Sequence, residues 1–129
     1  MKGATVRGSV LFVDDDPDVC AALVHHVLSA LPEVRAFTAS SPAEALVLVA
    51  REDLDVIVSD YRMPEGDGAE FLRAAAVRCP GSARYALASA PDQFLMERSA
   101  VDGFTVLTKP LDPTLLIVIL RQALGLRNP

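Results

Sequence analysis

Asp55-Val56-Ile57-Val58-Ser59-Asp60 is the stretch that decides the reading of this chain. Three β-branched apolar residues followed by a small serine leave no polar face, so a strand here is covered on both sides, and it closes on a carboxylate. Upstream, Ser9-Val10-Leu11-Phe12-Val13-Asp14 repeats the pattern and also runs into carboxylates. Between the two lies Asp16-Pro17, a cap followed by the residue that suits a first helical turn. Val19, Leu23, Val27 and Leu31 follow at steps of four and are expected to form one buried stripe, which Pro32 stops. A second strand is expected over residues 34–38. Ser41-Pro42-Ala43-Glu44 is a capping box that opens a helix through about Arg51.

Downstream of Asp60, a loop rich in Pro, Gly and Asp over residues 63–68 precedes a helix near 69–77, which Pro80-Gly81 breaks. A fourth strand is expected at about 84–89, a short and weakly patterned helix at 91–100, and a fifth strand at 104–108. Asp112-Pro113 caps and begins a last helix that ends near Gly125. Strand and helix therefore alternate five times, with strands apolar on both faces. That order predicts an α/β fold: a doubly wound, five-stranded parallel sheet in strand order 2-1-3-4-5, with helices on both faces. Sites in such sheets lie at the carboxyl ends of the strands, beside the switch point between strands one and three.

Composition narrows the class. A chain of 129 residues is expected to form a single domain over 1–129, and 51% hydrophobic residues suffice for its core. The net charge of −5 disfavours direct nucleic-acid binding, which calls for a basic surplus. No apolar run approaches the ~20 residues that span a bilayer, and the first ten residues lack a signal-peptide core, so no membrane association is expected. Cys20 and Cys79 stand far apart without nearby His, and read as packing residues in a cytoplasmic protein.

The strand ends carry the chemistry. Asp14 and Asp15 end strand one, Asp60 strand three, Ser89 strand four and Lys109 strand five. Helix capping accounts for Asp16 and Asp112, and does not account for three carboxylates, a hydroxyl and a lysine that the fold brings together. Clustered carboxylates repel and need cations. Lys109 supplies one charge, and the remaining need fits a hard divalent ion with oxygen ligands, Mg²⁺ rather than zinc, since no thiolate or imidazole set is present. Metal, lysine and hydroxyl around a carboxylate suit phosphoryl transfer, with the carboxylate as nucleophile.

Four separated motifs carry a resemblance. Leu11-Phe12-Val13-Asp14-Asp15-Asp16-Pro17, Asp55 through Pro64 with Gly66-Asp67-Gly68, Ser89-Ala90, and Lys109-Pro110 together resemble the response-regulator receiver domains of two-component signalling, the CheY-like superfamily with a flavodoxin-like fold. The similarity covers essentially the whole chain. It implies that Asp60 accepts a phosphoryl group from a histidine kinase or phosphotransfer protein, and that Asp15 is the main Mg²⁺ ligand, with Asp14 beside it, partly through water. It further implies metal ligation by Asp60 and by the Arg62 backbone carbonyl, phosphoryl contacts from Lys109 and Ser89, and a cis Lys109–Pro110 peptide.

Three positions depart from the family pattern. Val106 stands where an aromatic switch residue is usual. Phe104, about 7 Å away along the same strand face, reads either as its substitute or as core. The spacing from Ser89 to Lys109 is slightly short, with Pro91 inside it, so a short or irregular fourth helix is expected. Arg62, two residues after Asp60, reads either as tuning the phosphoryl lifetime or as a solvated loop charge.

Weaker signals lead elsewhere. His25-His26 has no partner ligands in sequence. Asp14-x-Asp16-x-Asp18 opens like a calcium loop, but Val19 replaces the required Gly and His25 the required Glu. Gly66-x-Gly68 lacks the third glycine of a dinucleotide fingerprint. The apolar run Leu115-Leu116-Ile117-Val118-Ile119-Leu120 cannot all face the sheet, so an exposed strip is expected on the fourth helix, fifth strand and last helix, fit for a homodimer or an output domain. The chain is expected to hold no output domain of its own. Two rival classes remain: a phosphatase of the haloacid dehalogenase type, which wants its nucleophile on the first strand as Asp-x-Asp-x-Thr/Val and finds Asp18 there, and a receiver fold serving only as a dimerisation block.

Overall fold

The computed structural model describes residues 7–126; the sequence reading of residues 1–6 lies outside them. In chain order the elements are β1 (Gly8–Val13), α1 (Pro17–Ala30), β2 (Val34–Ala39), α2 (Pro42–Arg51), β3 (Val56–Asp60), β4 (Arg62–Met63), β5 (Gly66–Asp67), α3 (Gly68–Arg78), β6 (Ala83–Ala88), α4 (Gln93–Asp102), β7 (Thr105–Thr108) and α5 (Pro113–Leu124). The main sheet runs β2-β1-β3-β6-β7, all parallel. This is the expected order 2-1-3-4-5, with β4 and β5 forming a separate antiparallel pair.

Alternation along the strands builds two cores. Leu11, Val13 and Ile57 point to one face, under α2, α3 and α4, where Val49, Phe71, Leu72 and Leu95 meet them. Val10, Phe12, Val56 and Val58 point to the other, under α1 and α5, where Val27, Leu116 and Leu120 cover them. Each such large apolar side chain contributes about 1.5–3 kcal/mol on burial, and the pairing of faces fixes the register of the central strands.

Several details differ from the sequence reading. Of the stripe expected on α1, Leu23, Val27 and Leu31 do pack in the core on this face of the sheet, whereas Val19 is exposed and Cys20 and Val24 join the buried face instead. Steps of four drift by about 40° each around a helix, which carries the first member of the series, Val19, off the buried face. The loop over residues 63–68 contains the β4–β5 pair, whose two-residue strands are too short to carry a period. The fourth helix starts at Gln93, later than expected, because Asp92 is its cap, accepting the Leu95 N–H at 2.8 Å, and Gly103 ends it in the left-handed conformation. Phe104 precedes β7 and is buried in the core, and Val106 packs half-buried against the same cluster. Among the described residues no helix is long and apolar enough to cross a membrane.

Candidate functional site

The parallel ladder extends one step beyond the strands and so sets the backbone of the polar residues. The Asp14 N–H donates to Ala39 O (3.1 Å), the Tyr61 N–H to Leu87 O (2.8 Å) and the Lys109 N–H to Ala88 O (2.9 Å). Asp14, Asp60 and Lys109 are thereby held at the carboxyl edge of the sheet, on both sides of the switch point. The Lys109–Pro110 peptide is cis, as expected. Gly68 is required by contact rather than by turn geometry: a Cβ there would lie 2.0 Å from the Asp60 carbonyl oxygen, and the Gly68 N–H donates to Tyr61 O at 2.7 Å.

Asp14, Asp15 and Asp60 each offer a carboxylate oxygen, all within 4.8 Å of one another. Asp14 and Asp60 are buried and Asp15 is exposed. Asp14 Oδ1 accepts the Asp16 N–H at 2.9 Å, whereas its buried Oδ2 has no hydrogen-bond partner. Lys109 Nζ stands 3.8 Å from that Oδ2 and 3.0 Å from Asp60 Oδ1. Burial pushes the Asp14 carboxyl above its ordinary range; the Asp16 N–H and Lys109 oppose this, and the charges of Asp60 and Asp15 add to it. For Lys109, burial pulls the ammonium pKa down, but the Asp60 hydrogen bond and the charges of Asp60, Asp14 and Asp15 outweigh burial and raise it. One lysine thus faces three carboxylates. An orphaned buried oxygen beside two further carboxylates, with hard oxygen donors throughout, fits a divalent cation of the Mg²⁺ kind.

A cavity of about 280 Å³ opens over Asp60, walled by Arg62, Ser89 and Lys109 among others. Ser89 sits one residue past β6 and is exposed. Asp14 borders neighbouring hollows rather than this one. The Arg62 side chain turns outward over the Tyr61 ring, 5.2 Å from its centroid, and its Nη2 is 3.6 Å from Asp92 Oδ2. The sequence reading missed that pair. Asp16 and Asp18 stay out of the site: Asp16 Oδ1 caps α1 by accepting the Asp18 N–H at 2.9 Å. The Asp-x-Asp pattern of the phosphatase rival is therefore a helix start. His25 is exposed, and His26 bonds Pro113 O through Nε2 at 3.1 Å. Cys20 and Cys79 are buried free thiols, and burial pushes the Cys20 thiol up to about 11.

Fold and site together define a doubly wound α/β module with an acidic, lysine-bearing centre at its switch point. The family described as response regulator receiver domain matches residues 10–121, and the chain belongs to it. It is 31% identical over 125 residues to the response regulator protein PilR of Pseudomonas aeruginosa, covering 95% of this chain and 27% of that protein. It is 35% identical over 123 residues to the transcriptional regulatory protein GlrR of Escherichia coli, covering 93% of this chain and 27% of the relative. The chain thus spans about a quarter of the length of these relatives. Among solved structures, the chemotaxis protein CheY4 of Vibrio cholerae superposes with a TM-score of 0.81 at 26% identity, over 90% of this chain and 98% of that one.

Proposed function

We propose that this receiver domain, spanning residues 1–129, takes a phosphoryl group onto Asp60 from the phosphohistidine of a histidine kinase or phosphotransfer protein in the cytoplasm. The observation that carries the reading is Lys109 Nζ at 3.0 Å from Asp60, beside Asp14 and Asp15, under a cavity open to solvent. In the step, an Asp60 carboxylate oxygen bonds to phosphorus, the phosphorus–nitrogen bond to the donor imidazole breaks, and the electron pair leaves on that nitrogen. Lys109 neutralises phosphoryl oxygens, and the Ser89 hydroxyl, at the cavity wall, donates to one of them. Asp15, Asp14, Asp60 and the Arg62 carbonyl would hold Mg²⁺, which when bound supplies further neutralisation of phosphoryl charge.

The output is a change in a protein-interaction surface. Leu115 and Val118 of α5 and Phe94 and Val101 of α4 are exposed apolar residues. We place a homodimer or output-domain contact on α4, β7 and α5. Stoichiometric labelling by acetyl phosphate, present with Mg²⁺ and lost with chelator, is the expected result. Multiple-turnover hydrolysis of a chromogenic phosphomonoester without labelling would favour the phosphatase class instead.

A further inference from the structure

α4 is attached to the sheet by little apolar surface. Leu95 is its one buried side chain, and the other ties are polar. At its carboxyl end, Arg84 of β6 donates through Nη2 to Asp102 O at 2.8 Å, and through Nη1 to Leu72 O of α3 at 2.9 Å. At its amino end, a single carboxylate does two jobs. Asp92 Oδ1 caps the helix by accepting the Leu95 N–H, while Oδ2 faces the Arg62 guanidinium at 3.6 Å. Arg62 leaves the chain two residues after Asp60 and walls the same cavity as Asp60, Ser89 and Lys109. The start of α4 is therefore joined to the acceptor site through one exposed ion pair.

That pair is weak by geometry. Its separation exceeds hydrogen-bond length, and both side chains are largely solvated, so it contributes at most about 1 kcal/mol. An acyl phosphate at Asp60 would carry more negative charge than the Asp92 carboxylate. It would also offer the paired oxygens that a planar guanidinium binds best. Resting on the receiver reading above, we propose that Arg62 is a phosphoryl-binding cation held back by Asp92. Phosphorylation draws it into the cavity and releases the amino end of α4. The device supplies a route from Asp60 to α4 in a chain whose β7 carries Val106 and whose Phe104 is buried in the core.

Four forms of the full chain test this: wild type, Asp92→Asn, Arg62→Ala, and the double variant. Asn keeps the capping oxygen, and Ala at 62 keeps the backbone carbonyl. Beryllofluoride, a phosphoryl mimic, is titrated with Mg²⁺ by calorimetry, and amide exchange is followed at Leu95 and Met96. Asp92→Asn is expected to tighten mimic binding about two- to fivefold, the factor that an exposed pair of this kind can hold back. Arg62→Ala weakens it, and the double variant matches Arg62→Ala. In the wild type the mimic speeds exchange at Leu95 and Met96. If Asp92→Asn tightens binding equally when Arg62 is absent, or leaves affinity unchanged, Arg62 is not the cation that Asp92 restrains. A wild-type chain that takes neither beryllofluoride nor label from acetyl phosphate overturns the receiver reading itself, and this device with it.

Discussion

Replacing Asp14 with Asn is expected to stabilise the metal-free protein at neutral pH, although it alters a buried residue of the site. Asp14 stands within 4.8 Å of carboxylate oxygens from both Asp15 and Asp60 and 3.8 Å from a single ammonium. With an effective dielectric constant between those of protein and water, the two repulsions exceed the Lys109 attraction by about 1–2 kcal/mol. The desolvation of a buried charge acts in the same direction. Asn keeps the side-chain oxygen that accepts the Asp16 N–H, so little is lost in return. The gain should be about 1–2 kcal/mol, or roughly 4–8 °C in Tm for a domain of this size.

The pH dependence fixes the cause. The Asp14 carboxyl is raised in the folded state, so the fold binds its proton more tightly than the unfolded chain does. The destabilisation is therefore complete above the folded value and absent below the ordinary carboxylate value near 3.8. Urea denaturation with chelator present should show the Asn variant more stable at pH 7, with the difference shrinking toward pH 4 and below. Mg²⁺ should narrow the gap at pH 7, because it stabilises the intact carboxylate set more. A variant less stable than wild type in chelator at pH 7, or a gain that persists unchanged at pH 3, would refute the repulsion argument.

Lys109→Ala should slow labelling by acetyl phosphate by at least tenfold and lower stability by about 1–3 kcal/mol, since it strips from two buried carboxylates the cation that pairs with both among the described residues. Because the lysine pKa is raised, that stability difference should hold from neutrality up to the ordinary lysine value near 10.5, and vanish only above it; a difference already gone at pH 9 would count against the ion pair. Gly68→Ala should lower stability by about 3 kcal/mol or more, because the new Cβ must displace the Asp60 carbonyl; an unfolding midpoint within error of wild type would show that the contact yields freely. Analytical ultracentrifugation over a concentration series should show self-association that Val118→Asp on α5 abolishes, and a strict monomer with and without beryllofluoride would eliminate the homodimer.

The architecture was legible because β1 and β3 are apolar on both faces and end in carboxylates. Only a central position in a parallel sheet accommodates that pattern, and it places Asp14 and Asp60 side by side. Lys109 and Ser89 followed from the same rule, since every strand of such a sheet ends on one edge. What escaped the reading was tertiary. Arg62 and Asp92 are thirty positions apart and have no shared pattern, so their pairing arises only when β3 and α4 are in place. Gly68 read as a loop residue, and its need for a missing side chain comes from the Asp60 carbonyl that packs against it. Arg84 did leave a trace, a lone charge inside an apolar strand, which marks a buried polar task; here it is the anchoring of α3 and α4. On α1, counting in fours found Leu23, Val27 and Leu31 but misplaced Val19, because Cys20, Val24 and Val27 follow the true helical period.

The central claim is that Asp60 is the phosphoacceptor of a Mg²⁺-dependent site. Its most direct test is mass spectrometry of the chain after acetyl phosphate treatment, with the acyl phosphate trapped by borohydride and the modified residue mapped. The account predicts a single modified position, Asp60, labelled only with Mg²⁺ present, and no label in an Asp60→Asn protein that still unfolds cooperatively. Full labelling of a well-folded Asp60→Asn protein, or a label mapped to Asp14 or Asp15, would contradict it.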